Sequence, residues 1–302
     1  MRNALLLLAT AGAANAQQVA DSGFAPPVPR PAYREGAGPL VLLDEAHNNF
    51  HTTTGRYLAF ARLARRDGYR VSGNSRKLSR ESLAGARILV IANALADRNA
   101  NGNWSLPTPS AFDASEVAAV RAWVRAGGSL LLIADHMPFP GAMGDLAEAF
   151  GVRMMNGFAM QNDSVADGIF THTRAAGAVH DHPVTRGRST AERIDSVKVF
   201  TGQGFRIDRG SPLLTIRGDV TMLMPVVAWQ FSDSTPRTSA RGLLQGAAIP
   251  FGRGRVAVFA EAAMFSAQRA GPRRNPMGMN DPAAPQNPRF LLNVLHWLSG
   301  LL

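Results

Sequence analysis

The 302-residue chain contains no cysteine. That excludes disulfides, thiolate nucleophiles, thiolate metal ligands and lipid attachment through sulfur. Lysine occurs only at Lys77 and Lys198, so arginine carries almost all of the 32 basic side chains. Aromatic residues make up only 7% and do not interleave with the arginines, which are scattered along the chain. The formal charge of +10 is therefore not read as a nucleic-acid footprint, and no nucleic-acid partner is expected. Past the first few residues no apolar run is long enough to span a bilayer, so a transmembrane protein is not expected either. A G-x-S-x-G elbow is missing, which removes support for a serine hydrolase of the α/β-hydrolase type. No phosphate-binding or dinucleotide-binding glycine motif opens a helix. Gly252-Arg253-Gly254-Arg255 precedes a strand and reads as a turn.

What is present begins with Met1-Arg2-Asn3, a short apolar run Ala4–Ala9, and small residues ending Ala14-Asn15-Ala16. A basic start, an apolar core and an A-x-A site describe a secretory signal peptide over residues 1–16, with cleavage expected after Ala16. Export without disulfides fits a periplasmic or secreted bacterial protein. Residues 17–39, with Pro26-Pro27-Val28-Pro29-Arg30-Pro31, read as a Pro/Ala-rich extended tether. Residues 40–302 read as a single α/β domain.

Within it, buried strands alternate with amphipathic helices. Leu40–Leu43, Ile88–Ala92, Ser129–Ala134 and Arg255–Ala260 read as buried strands, Ile88–Ala92 being apolar throughout in the way of parallel strands, and Tyr69–Val71 reads as a short strand between the first two. Pro225–Phe231 and Gly242–Ile249 are expected as further strands. Helices are expected from Thr52, Thr53 or Thr54 to about Asp67, over Ser79–Ala84, over Ser110–Ala126 capped by Asp113 or Ser115, over Ala142–Phe150 and over Asn287–Leu298. Residues 151–208 read as an irregular loop and hairpin insertion. The pattern predicts a doubly wound, mostly parallel, flavodoxin-like sheet. In such sheets ligands bind outside the carboxyl ends of the strands.

That rule selects three strand exits. The first is Asp44-Glu45-Ala46-His47-Asn48-Asn49-Phe50-His51, whose acids, imidazoles and amides a stable core does not require. The second is Asp135-His136. The third is Glu261, with Ser266 and Gln268 beyond it. His47, Asp135, His136 and Glu261 are the candidate catalytic residues, and Glu45, Asn48, His51 and Gln268 the candidate ligand-binding ones. Imidazoles and carboxylates together can act as acid and base, and His47, His51, Asp135 and His136 can equally be read as ligands of a divalent metal that activates water. The plainer reading is that His47 or His51 caps the first helix and Asp135 binds loop amides. Pro138–Gly141 reads as an ordinary strand-to-helix turn. Asp97–Gly102 matches the first half of a calcium loop, but Thr108 stands at the closing position that needs a glutamate, so a surface turn is favoured. His172, His180 and His182 are further metal-ligand candidates and equally fit solvated loops. His296, beside Trp297, is expected to be structural.

Ala111-Phe112, Trp123–Gly128, the strand Ser129–Ala134, Gly252–Val258 and the closing helix Asn287–Leu298 resemble class I glutamine-amidotransferase-like domains. The similarity is to the non-catalytic type of gliding-motility and intraflagellar-transport proteins and of related exported bacterial proteins. His182-Pro183-Val184-Thr185-Arg186-Gly187 resembles a segment of trehalose-utilisation-type members. The resemblance spans about residues 40–302. It implies an amidotransferase-like fold whose nucleophile position falls near Asp135-His136, and the missing cysteine excludes glutaminase chemistry. Two functions stay open: a metal-assisted hydrolase of a cell-envelope or carbohydrate-like substrate, and a non-catalytic ligand-binding or envelope-assembly module.

Overall fold

The computed structural model describes residues 18–161 and 168–302. The expected signal segment, residues 1–16, lies outside the described residues. The body is built on a nine-stranded sheet: β1 Leu40–Asp44, β2 Arg70–Asn74, β3 Ala86–Ala92, β4 Ser129–Ile133, β5 Val152–Met154, β6 Phe205–Ile207, β7 Ser211–Thr215, β8 Leu244–Phe251 and β9 Gly254–Phe259. They lie in the order β2-β1-β3-β4-β9-β8-β6-β5, with β7 also paired to β8. The first five in that order run parallel. Beyond β9 the pairing turns antiparallel.

Both faces of the central parallel strands are buried because β1, β3, β4 and β9 are apolar through their middles, while the edge strand β2 is largely exposed. Ile88, Val90, Leu131 and Ile133 face helices α1, Leu58–Arg66, and α3, Asn287–Ser299, meeting Phe60, Leu63, Phe290 and Leu295. Leu89, Ile91, Leu130 and Leu132 face α2, Ala114–Arg125, meeting Val120 and Val124. The fold is the doubly wound α/β arrangement expected from the strand and helix periods.

The helix boundaries are set by side-chain hydrogen bonds. Asp113, not Ser115, caps α2: its carboxylate accepts the N–H groups of Ser115 and Glu116, while the Glu116 side chain accepts the N–H of Asp113. The first helix begins at Leu58, later than its threonines suggested, because those residues are engaged elsewhere. Thr52 Oγ1 accepts the Gly55 N–H, and Thr53 is bound by Glu45. Ser79–Ala84 forms a turn, and Ala142–Phe150 is replaced by two short helices, Phe139–Ala142 and Gly144–Glu148. Pro225–Phe231 is not a strand. It is a loop that bridges to Ser105 through Val227 and holds Trp229 at φ +66°.

The insertion is more ordered than its composition implied. Its β5 and β6 extend the main sheet, Phe158–Gln161 pairs with Val220–Leu223, and Ile169–Thr173 pairs with Ser196–Phe200. From residue 18 the expected tether is docked rather than free. Val19–Ala20 pairs with the strand Ala267–Ala270, and Gly38 N–H donates to Gly68 O. Asp67 ties this segment to both helices of its layer. One of its oxygens accepts the Ala32 N–H at 2.9 Å and the other accepts His296 Nε2–H at 2.6 Å, in a pair with no solvent exposure. His296 is structural, as read from its place on the closing helix.

The capping box gives a direct test. Asp113→Ala should lower the free energy of unfolding by about 1 kcal/mol in a urea titration; an unchanged midpoint would show that α2 is held by packing alone.

Candidate functional site

The octet after β1 splits into two parts with different roles. His47 Nδ1–H donates to both oxygens of Asp44 at 2.9 Å, and Nε2–H donates to Glu116 Oε1 at 2.9 Å. The ring is buried and lies 4.6 Å from that of Phe112. Burial alone would lower its pKa, but the hydrogen bond and charge of Asp44 and the charge of Glu116 outweigh it and raise the pKa. His47 is therefore an imidazolium clamp between β1 and α2, with no ring nitrogen left for a substrate or a metal. Glu45 accepts the N–H of Thr53 at 2.6 Å and its hydroxyl at 2.7 Å. Asn48, at φ +46°, donates to Leu95 O and Asp97 Oδ1. These residues shape the loop.

His51, at the end of the octet, reaches a different neighbourhood. Asp135 leaves β4 with its N–H on Asn93 Oδ1 at 2.9 Å, Asn93 itself standing just past β3 at φ +49°. Glu261 leaves β9 fully buried, accepting the Ala263 N–H at 2.6 Å and the Met264 N–H at 2.7 Å. Burial and then the Asp135 charge push its carboxyl well above the usual range. Tyr57, whose hydroxyl donates to Ala262 O at 3.0 Å, is pushed up by burial and by the charges of Glu261 and Asp135. Arg56 is lowered to about 10 by burial, against the pull of Asp135. His51 is held well below its ordinary value by burial, Arg56 and His136. Its ring centroid lies 4.6 Å from that of Tyr57. These electrostatic couplings tie His51, Arg56, Tyr57, Asp135, His136 and Glu261 into one neighbourhood at the strand exits.

His136 carries this polar group toward solvent. Its Nδ1–H donates to Met137 O at 2.7 Å, which leaves Nε2 as the free ring atom. The ring stacks on Phe158 at 4.6 Å and meets Trp229 at 4.7 Å and Trp104 at 6.0 Å. Trp229 is 41% exposed, Leu106 43% and Val226 64%, and Leu106 N–H donates to Val226 O. A tryptophan at φ +66° is strained backbone that presents a large ring outward. His51 Nδ1 and Trp104 Nε1, both buried, have no hydrogen-bond partner among the described residues, a state they share with Asn99, Gln268, Asn293 and His296 side-chain atoms elsewhere in the fold.

The remaining sequence candidates fall elsewhere. Gln268 is buried with its amide on Ser266 Oγ at 2.7 Å, on the strand that pairs with Val19–Ala20. His172 bonds Gln245 Oε1, His180 bonds Thr215 Oγ1, and His182 Nδ1 accepts the Val184 N–H as a helix cap. Asp97–Gly102 is a 3₁₀ turn. The four residues read as metal ligands do not assemble, since both His47 nitrogens are taken and His136 Nδ1 is bound to backbone. Among the described residues no group of three or more His, Asp or Glu side chains is placed to hold an ion. Arg56, Tyr57, Asn93, Trp104 and Trp229 stand in the same neighbourhood and were missed from sequence. Asn93 alone carried a signal, as the first residue past a buried strand.

No family model matches the chain, and no curated protein matches it at a significant level. Among solved structures, the mmIFT52 N-terminal domain aligns with 86% of this chain and 97% of its own, at 13% identity and a TM-score of 0.57. Cytoplasmic Protein STM3548 from Salmonella typhimurium covers 86% and 98%, at 13% identity and a TM-score of 0.50. A thua-like protein from Bacteroides uniformis lies further away, at 9% identity and a TM-score of 0.45. At such identities the likeness is one of fold. It agrees with the intraflagellar-transport side of the sequence resemblance at that level.

The His47 clamp should be visible in the pH dependence of stability. A raised folded-state pKa gives stabilisation that is fully present below the ordinary histidine value of 6.5 and fades as pH rises through the folded value. The stability difference between wild type and His47→Gln should therefore be largest below pH 6.5 and shrink in alkali. A difference that stays flat from about pH 5 to 9 would show that His47 is not charged in the fold.

Proposed function

We propose that the strand exits bind a small, hydroxyl-rich, ring-shaped ligand of glycan type, in a protein exported through its N-terminal segment. The observation that carries this is the apposition of an exposed aromatic lip, centred on Trp229, with the partly desolvated Asp135, Arg56 and His51. A sugar ring offers an apolar face to stack on an indole and a rim of hydroxyls that both donate and accept. Asp135 accepts, Arg56 donates, and a neutral His51 with an unpartnered Nδ1 can do either. The basic start, apolar run and small-residue site up to Ala16 are what support export.

A second reading is hydrolysis of the same ligand without a metal. It is favoured by His136, whose Nδ1–H on Met137 O leaves Nε2 to take a proton beside Asp135. Glu261 would act at one remove, since both of its oxygens already accept backbone amides.

Titration of tryptophan fluorescence with mono- and disaccharides and with peptidoglycan fragments tests both. A saturable change is expected for at least one glycan, and Trp229→Ala and Asp135→Asn should each weaken it about tenfold or more. Affinities unaltered by both substitutions, or no response to any glycan, would sink the binding site. If wild type releases reducing ends and His136→Ala binds but does not, the second reading holds; if wild type releases none, it fails.

A further inference from the structure

A second concavity lies at the other end of the strands, between the docked N-terminal segment, the last turn of α1 and the start of the edge strand β2. Its volume is about 470 Å³, within the range of small-ligand pockets. Three arginines line it, Arg65, Arg66 and Arg70, with one acidic residue, Glu35. None of the three arginines is in an ion pair among the described residues. Tyr69 is a wall of the cavity whose ring is almost fully buried, with its hydroxyl on Ser299 Oγ at 2.9 Å. Val28 and Val71 add an apolar side.

Two of the guanidiniums are anchored without being neutralised. Arg65 Nη2–H donates to Val71 O at 3.0 Å, and Arg70 Nε–H donates to Gly38 O at 3.2 Å. A guanidinium has five N–H groups, so each keeps most of its donors, now held in a defined position. Basic residues in the last turn of a helix are explained by the helix dipole alone. That accounts for Arg65 and Arg66. It does not account for Arg70, which begins a strand, nor for a hollow walled by valine and tyrosine beside them.

We propose that this cavity binds a small organic anion, its phosphate or carboxylate held by Arg65, Arg66 and Arg70 and its apolar part set against Val28 and Val71. Planar, forked donors match both kinds of oxyanion. The site is independent of the strand-exit ligand and would stand if that reading failed.

Isothermal titration with phenyl phosphate and benzoate tests the anion, with phenol and inorganic phosphate as probes of each half. Saturable binding of phenyl phosphate or benzoate is expected, with none for phenol. Arg66→Gln, which removes a side chain in no ion pair among the described residues, should weaken binding about tenfold, and Arg70→Gln should do the same. Arg206→Gln removes an equal charge from β6, next to the far edge of the sheet, and should leave the affinity unchanged. Saturable binding that survives Arg206→Gln and is lost in Arg66→Gln supports the site. The proposal is overturned if neither organic anion saturates, if Arg206→Gln and Arg66→Gln weaken binding equally, or if inorganic phosphate binds as tightly as phenyl phosphate and benzoate.

Discussion

The fold hangs its functional end on the imidazolium of His47, shared between Asp44 and Glu116. Asp44 ends β1 and Glu116 lies in the first turn of α2, so the clamp fixes a strand exit against a helix on one face of the sheet. From there the chain is forced along a narrow route. His47 O accepts the Leu95 N–H, Phe50 N–H reaches Asn93 O, and Glu45 holds Thr53 from the other side. Only because that path is fixed do His51, Arg56 and Tyr57 arrive beside Asp135 and Glu261. The most chemically suggestive histidine of the octet thus works as a brace, and the one that reaches the neighbourhood of Asp135 and Glu261 is the one that closes it.

The electrostatics of the strand exits follow from burial more than from pairing. Glu261 has backbone amides on both oxygens but no cation against it, and the nearby Asp135 makes its ionisation harder still. Arg56 is the cation within reach of Asp135. A neutral acid and a neutral imidazole, both buried, beside a partly desolvated arginine leave little net charge at these strand exits.

Much of this was legible in the sequence because its signals were local and unopposed. The uninterrupted apolar strands placed the centre of the sheet, and Asp113 was one of two residues that marked the start of α2. The rule that ligands sit past strand ends led to Asp135, His136 and Glu261, which the fold does bring near one another. It misled at His47, Glu45 and Asn48, because a strand exit is also where a loop needs hydrogen bonds, and side-chain type does not say which need is being met. Arg56 and Trp229 were invisible for a different reason. Arg56 lay in a segment that reads as helix, and Trp229 in one that reads as strand until its backbone takes a conformation that tryptophan seldom adopts. Gln268 was misplaced because the segment after Glu261 turns back to pair with the chain's own beginning.

The position of β9 has a consequence for how the molecule is made. This strand, Gly254–Phe259, stands between β4 and β8, in the middle of the sheet order, yet it is the last of the nine to be synthesised. The side of β4 that it covers stays unpaired until then, and β8 has no link to the parallel half. Val19 and Asp67 likewise await Arg269 and His296. Contacts between such distant segments are slow to form. The polypeptide therefore leaves the ribosome nearly complete before its central layer can close, and a fragment that stops short of residue 254 is two half-sheets without a seam.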